Sequence, residues 1–283
     1  MRIVVVGANG MLGTDLCRLL KEQKLAPIEL DLPRFDITNI NQAINTIQSQ
    51  RPDMIINLAA FTDVDAAELK KADAYAVNTQ GAWAVALAAQ QCKAKLVYVS
   101  TDYVFDGTKK DTYIETDAPN PINYYGQTKL LGEKTVTQHL KHYFIVRTSW
   151  LFGKHGKNFV KTMLKLCQEK ELIEVVNDQV GSPTYTRDLS SSIFNLISSD
   201  KYGIYHLTNT GKCSWYEFAC EIVKQAGLNT RVVPVSSDKF VRNASRPANS
   251  VLDNSKYEKH FNARLRNWQD ALKDYLSDTI KNV

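Results

Sequence analysis

The sequence predicts an α/β fold built on a doubly wound parallel sheet, with a smaller α/β region towards the C-terminus. Three observations carry that prediction. Through the first half, short apolar runs alternate with amphipathic helical stretches, the pattern of strands joined by crossover helices. The runs are apolar almost throughout, as strands covered on both faces must be. The first of them ends in the glycine-rich turn "GANGMLG", which leads straight into a helical repeat.

In chain order the strand-like runs are "RIVVV", "PIEL", "MIINLAA", "KLVYVS" and "YFIVRT". Between the first two, Leu12, Leu16, Leu19 and Leu20 recur at helical spacing, and Trp83 to Ala89 forms another helical stretch. Beyond roughly Arg147 the alternation loosens into "DQVGSPTYTRDLS", "GIYHLTNTGKCSWYEFA" and "SRPANSVLDNSK", separated by helical runs. Ser214 with Glu217 three residues later is a capping-box signature for the helix that follows. Trp268, Ala271, Leu272, Tyr275 and Leu276 share one face of a closing helix. This gives a nucleotide-binding domain over residues 1–148 and a mainly substrate-binding region over 149–283, with later segments free to return to the first sheet. A cleft is expected between them.

Composition narrows the function classes. The 283 residues are 44% hydrophobic and 23% charged, as in an ordinary soluble globular protein. A formal net charge of +5 from 35 basic and 30 acidic residues, with no dense basic block, argues against a nucleic-acid partner. "MRIVVVGANG" is too short in its apolar run for a signal core or a membrane span, so the expected location is cytoplasmic. Five scattered cysteines without a C-x-x-C pair offer no zinc framework and suit reduced thiols.

Gly7, Gly10 and Gly13 follow a strand and open a helix. Glycines there allow a tight turn, close approach of a diphosphate and close helix–strand packing, while the helix N-terminus favours an anion. The context makes this a Rossmann-type dinucleotide site, and the G-x-x-G-x-x-G spacing is that of extended short-chain dehydrogenase/reductases. Asp31 stands where a carboxylate receives ribose hydroxyls, which favours NADH; Arg2 and Arg34 leave NADPH open. Asp36 and Ile37 begin the next loop, and both aspartates serve equally as turn formers.

Tyr125 precedes Lys129 by four residues, which on a helix places a phenol and an ammonium on one face. Together "GANGMLG", "INLAAFTDVDAAE", "VYVSTDYVFDG", "YYGQTKLLGE", "RTSWLFG", "NDQVGSPTYT" and "SRPANS" resemble, in order and spacing, the dTDP-4-dehydrorhamnose reductases, across almost the whole chain. The resemblance implies NADPH- or NADH-dependent reduction of the 4-keto group of dTDP-4-dehydro-β-L-rhamnose. It places the catalytic hydroxyl, tyrosine and lysine on Thr101, Tyr125 and Lys129. Lys129 would hold the nicotinamide ribose while its charge favours the phenolate form of Tyr125. Ser100 competes with Thr101, but on a strand its side chain faces the other way.

The resemblance further implies that Gly10, Met11 and Leu12 cradle the diphosphate and that Ala60, Phe61 and Thr62 pass beneath the cofactor. Asp102 and Trp150 would meet the sugar, the indole offering an apolar face, unless Trp150 is a core aromatic. Asn158, Arg246 and Asn249 would contact sugar or diphosphate, Arg246 as a bidentate phosphate ligand. Mg²⁺ is a cofactor for some members, yet no carboxylate cluster with ligand spacing is visible. A homodimer is compatible with the sequence and undecided by it. Related dehydratases follow the threonine with an acidic pair; here Tyr103 follows Asp102, against elimination. Nucleotide-sugar epimerases and the non-catalytic regulatory subunit of methionine adenosyltransferase share parts of the pattern and stand as alternatives.

Overall fold

The computed structural model describes residues 1–280. Its elements are β1 (Ile3–Val6), α1 (Met11–Glu22), β2 (Ile28–Leu30), α2 (Ile40–Ser49), β3 (Met54–Asn57), α3 (Val64–Leu69), α4 (Lys71–Tyr75), a π-helical turn (Ala76–Gly81) and α5 (Ala82–Cys92). There follow β4 (Lys95–Thr101), α6 (Tyr124–His139), β5 (Tyr143–Thr148), β6 (Leu151–Phe152), α7 (Phe159–Glu169), β7 (Leu172–Val176), β8 (Val180–Gly181), β9 (Thr184–Tyr185) and α8 (Thr186–Ile197). The last are β10 (Gly203–His206), β11 (Cys213–Ser214), α9 (Trp215–Gln225), β12 (Arg231–Val235), α10 (Ser255–Phe261) and α11 (Trp268–Ile280).

Six strands pair in parallel in the order β2-β1-β3-β4-β5-β10. The order reverses between β1 and β3, and that switch point is where an open α/β sheet leaves a crevice at the carboxyl ends of its strands. The strand residues are apolar on both faces because both faces are covered. One face packs Leu12, Leu16 and Leu20 of α1 with Leu189, Ile193 and Leu196 of α8. The other packs the alanine-rich α5 and Val136 of α6. Alanines suit α5 because their small side chains let it lie close to the sheet.

The chain does not divide at residue 148 into sheet and remainder. Gly203–His206 returns as the edge strand beside β5, and α8 packs on α1. The rest of the C-terminal half builds its own core from Phe152, Tyr185, Phe218, Trp268, Leu272 and Tyr275. Here α9 opens with the reciprocal bonds of a capping box: Glu217 N–H donates to Ser214 Oγ (3.1 Å) and Ser214 N–H to Glu217 Oε2 (2.7 Å). The five apolar residues of the closing helix named above are all buried. No described helix is long and apolar enough to cross a membrane.

His206, at the end of β10, is fully buried, its Nδ1 paired with the Tyr113 carbonyl at 3.0 Å. Burial, and then the nearby Arg147 charge, pushes it from 6.5 down to about 3. Because the folded value lies below the unfolded one, its contribution to stability is complete above about pH 6.5 and is lost as pH falls towards 3. Urea unfolding of His206→Gln should therefore show a pH slope shallower than wild type by up to about 1.4 kcal/mol per unit between pH 4 and 6. An unchanged slope would show that His206 does not titrate on unfolding.

Candidate active site

A cavity of about 870 Å³ opens at the carboxyl edge of the sheet, over the switch point. Its floor is the turn between β1 and α1. Gly7 has φ +80°, and a Cβ there would sit 2.7 Å from Ala59 N. At Gly13 an added Cβ would come within 2.2 Å of the Gly7 carbonyl oxygen. Gly10 is freer, its nearest atom lying at 3.3 Å, and it stands just before the first turn of α1. The missing side chains thus shape a cradle at the N-terminus of α1, which fits a dinucleotide diphosphate.

Met11, Leu12, Asp31, Asp36, Ile37, Ala60, Phe61 and Thr62 all line this cavity with the glycines. The two aspartates also make the turns that the sequence allowed for. Asp31 accepts from Asn9 N–H (2.7 Å) and Leu32 N–H (2.8 Å), while Asp36 accepts from the N–H and hydroxyl of Thr38 (2.9 and 2.7 Å). The Asp31 carboxylate therefore ties the glycine turn to the end of β2 while still bordering the cavity.

On the opposite wall stand Thr101, Asp102, Tyr125 and Lys129. Helix α6 starts where it does because Asn123 caps it, accepting from Gly126 N–H at 2.8 Å, and Glu68 accepts from Tyr124 N–H at 2.7 Å. Lys129 is 1% exposed; its Nζ donates to the Val99 carbonyl at 2.7 Å and lies 4.1 Å from the centre of the Tyr98 ring. The Thr101 hydroxyl donates to Asp102 Oδ1 at 3.0 Å and accepts from Tyr103 N–H at 3.2 Å. Ser100 also borders the cavity, but its hydroxyl is committed to Glu133, to which it donates.

Enclosure sets the protonation states. Desolvation pushes the Tyr125 phenol up to about 12, with the Thr101 hydroxyl drawing it back in part. Desolvation also pushes Lys129 down to about 7, against the opposing pull of Glu133. The expected pull of the Lys129 charge towards the phenolate form of Tyr125 finds no support here: burial disfavours both charges, and Thr101 and Asp102 are the groups that act on the phenol. Burial raises Asp102 to about 7 as well.

Three expected ligand contacts are not among the residues that line the cavity, although Asn158 stands 3.9 Å from Met11 Sδ and Arg246 is hydrogen-bonded to Tyr103, both of which do. Arg246 is held by Asp65, with Nη1 to Oδ1 at 3.2 Å and Nη2 to Oδ2 at 2.6 Å, and does not line the cavity. Asn158 caps α7, accepting from Lys161 N–H at 3.0 Å and donating to the Gly153 carbonyl at 2.8 Å. Asn249 donates to the carbonyls of Lys109 and Asp111 and accepts from Val251 N–H. Among the described residues, the cations that line the cavity are Lys129 and Lys157. Trp150 lines it too, in the left-handed region at φ +48°, but its ring is stacked on Trp215, centroids 3.5 Å apart at 6°. A stacked pair of indoles therefore lines the cavity, one of which the sequence reading missed.

Asn78 was missed as well. From the π-helical turn its side chain accepts from Phe61 N–H (2.8 Å) and donates to the Phe61 carbonyl (3.1 Å) and Thr128 Oγ1 (3.0 Å), fixing the Ala60–Thr62 loop to α6. Its signal was an asparagine, with Gln80 two residues on, inside the otherwise largely apolar run "YAVNTQGAWAVA". Among the described residues, no group of three or more His, Cys, Asp or Glu side chains could hold a metal ion.

A glycine turn at the switch point, facing a phenol, a hydroxyl and a buried lysine, defines an extended short-chain dehydrogenase/reductase. More narrowly, the chain belongs to the RmlD substrate binding domain family, which it matches over residues 1–280. It is 41% identical over 277 residues to the spore coat polysaccharide biosynthesis protein SpsK of Bacillus subtilis, covering 98% of this chain and 97% of that one. It is 40% identical over 286 residues to a dTDP-4-dehydrorhamnose reductase of Aggregatibacter actinomycetemcomitans, with 96% and 97% covered. The crystal structure of dTDP-4-dehydrorhamnose reductase from Bacillus anthracis in complex with NADP superposes with a TM-score of 0.95 at 44% identity, covering 98% of this chain and 99% of that one.

The glycine contacts separate two roles. Gly13→Ala should destabilise the fold by about 1–3 kcal/mol, as overpacking against backbone does, whereas Gly10→Ala should stay within about 0.5 kcal/mol of wild type. Urea denaturation of both variants checks this, and equal losses would refute the assigned packing difference.

Proposed function

We propose that the protein reduces the 4-keto group of dTDP-4-dehydro-β-L-rhamnose to give dTDP-β-L-rhamnose, with NADPH or NADH as reductant. The observation that carries this reading is that Tyr125, Thr101 and Lys129 face the same cavity as the glycine cradle. Family membership and the NADP bound in the Bacillus anthracis relative support it.

Reduction of a ketone needs hydride at carbon and a proton at oxygen; when bound, the nicotinamide supplies the hydride. Tyr125 gives the proton. A phenol held protonated by its surroundings is in the correct form for this direction of reaction, and its transfer neutralises charge as it develops on oxygen. Thr101 orients the carbonyl oxygen beside that phenol, adding a donor where negative charge grows. Lys129, fixed on the Val99 carbonyl, holds the nicotinamide ribose. Gly10, Met11 and Leu12 carry the diphosphate, with Asp31 and Asp36 bordering the adenosine end. The Trp150–Trp215 pair and Asp102 receive the deoxysugar, and Lys157 meets the diphosphate of the sugar nucleotide in the part first assigned to Arg246.

Stoichiometric oxidation of NADPH on addition of the keto sugar nucleotide tests the reading; binding without turnover would overturn it. Tyr125→Phe should lower kcat by roughly 10²–10⁴ with NADPH affinity almost intact. Lys129→Ala should damage both. Since Lys129 and not Tyr125 titrates near neutrality, NADPH affinity should decline above about pH 7 in wild type and in Tyr125→Phe alike. A limb that vanishes in the Phe variant would reassign it to the phenol.

A further inference from the structure

One buried charged cluster takes no part in the mechanism above. Glu133 lies one turn beyond Lys129 on α6 and is 3% exposed; Arg147 of β5 is 2% exposed. Arg147 donates Nε to Glu133 Oε1 at 2.9 Å and Nη2 to Oε2 at 2.7 Å, and Ser100 Oγ donates to Oε1 at 2.5 Å. Three donors thus fix the carboxylate in position and orientation. Tyr125, Lys129 and Glu133 follow each other at four-residue steps, so they form one line along the helix face.

Lys129 has little else to sustain its charge. Its direct contacts are one carbonyl and a ring face, both short of a counter-charge. We propose that Glu133 is a positioning residue for the proposed reaction: clamped by Arg147 and Ser100, its carboxylate keeps Lys129 in the ammonium form that receives the cofactor ribose. The inference rests on the functional reading above. The titratable groups around Lys129 are Tyr98 and Asp102 from β4 and its end, Tyr125 and Glu133 from α6, and Arg147 from β5 with His206 of β10 behind it. Tyr98 is pushed well above its ordinary value by burial and stays neutral. Glu133 is the group whose charge favours the ammonium, against the desolvation that opposes it. Arg147 serves by holding that carboxylate where a buried acid would otherwise lack partners.

The test is NADPH affinity, followed by nicotinamide fluorescence between pH 5.5 and 9, for wild type, Glu133→Gln, Glu133→Gln/Arg147→Met and Lys129→Ala. Wild type should bind more weakly above about pH 7, and Lys129→Ala should lack this limb. In Glu133→Gln the limb should move at least about one unit towards acid, giving roughly tenfold weaker binding at pH 8 and near wild-type binding at pH 5.5. The double variant, which leaves no unpaired guanidinium, should shift the same way by less, and it decides the matter if the single variant does not fold. A purely structural Glu133 would weaken binding equally at every pH; a limb that stays in place in a folded variant overturns the proposal. Absence of dinucleotide binding by wild type would overturn the functional reading and this inference with it.

Discussion

Much of the site follows from how closely α6 lies against the end of β4. A Cβ at Gly126 would meet the Tyr103 carbonyl oxygen at 2.1 Å, and one at Gly132 would meet the Tyr98 hydroxyl at 2.2 Å and the Asn78 carbonyl at 2.6 Å. Only hydrogen fits at those two points, so the helix comes near enough for Lys129 to reach the Val99 carbonyl and for Glu133 to reach Ser100. The same approach buries Tyr98, Lys129 and Glu133 along the seam. Charge states respond at once: Tyr98 and Tyr125 rise, and Lys129 falls, all chiefly by desolvation. A single packing constraint therefore sets both the geometry and the proton inventory of the cavity wall.

That inventory divides labour between the two helix residues. The phenol holds its proton firmly, which a donor in the reductive direction requires. The lysine is poised near neutrality, so small changes in surrounding charge alter how much of it is cationic. Polar groups that never face the cavity then become influential. Asn78 joins the loop after β3 to Thr128, next to Lys129, through three hydrogen bonds. A shift there would move the floor of the cavity and the lysine together.

Local signals were the legible ones. The five apolar runs all became sheet strands, the capping box formed with both bonds, and the glycine turn fell at the switch point. Each depends on neighbours within a few residues. That a later segment could return to the sheet was allowed for, but which one and at which edge was not readable, because strand pairing is decided by partners far away in sequence. Arg246 shows the same limit: its residue type suits a phosphate, but its partner is Asp65, 181 residues distant. Asn158 carried a second local signal that went unused, since an asparagine directly before "FVKTMLKL" is an N-cap signature. Trp215 escaped because its place beside Trp150 arises from the start of α9 folding back over the cavity.

The buried cluster behind Lys129 also separates two distant groups that burial treats alike. Lys129 and His206 stand on different elements, yet both are pushed towards their neutral forms, Lys129 to about 7 and His206 to about 3. Desolvation is the leading cause in each case. The difference lies in what the nearest charge does. Glu133 favours the proton on Lys129, while Arg147 opposes one on His206. The ion pair is therefore asymmetric in its effects: its negative member supports the cation on the cavity side, and its positive member refuses a second cation beneath β10. A buried pair of this kind is weak evidence for stability, since its desolvation offsets much of its attraction. Its orientation is what matters here, because reversing the two residues would turn support for Lys129 into repulsion while leaving the pair itself intact.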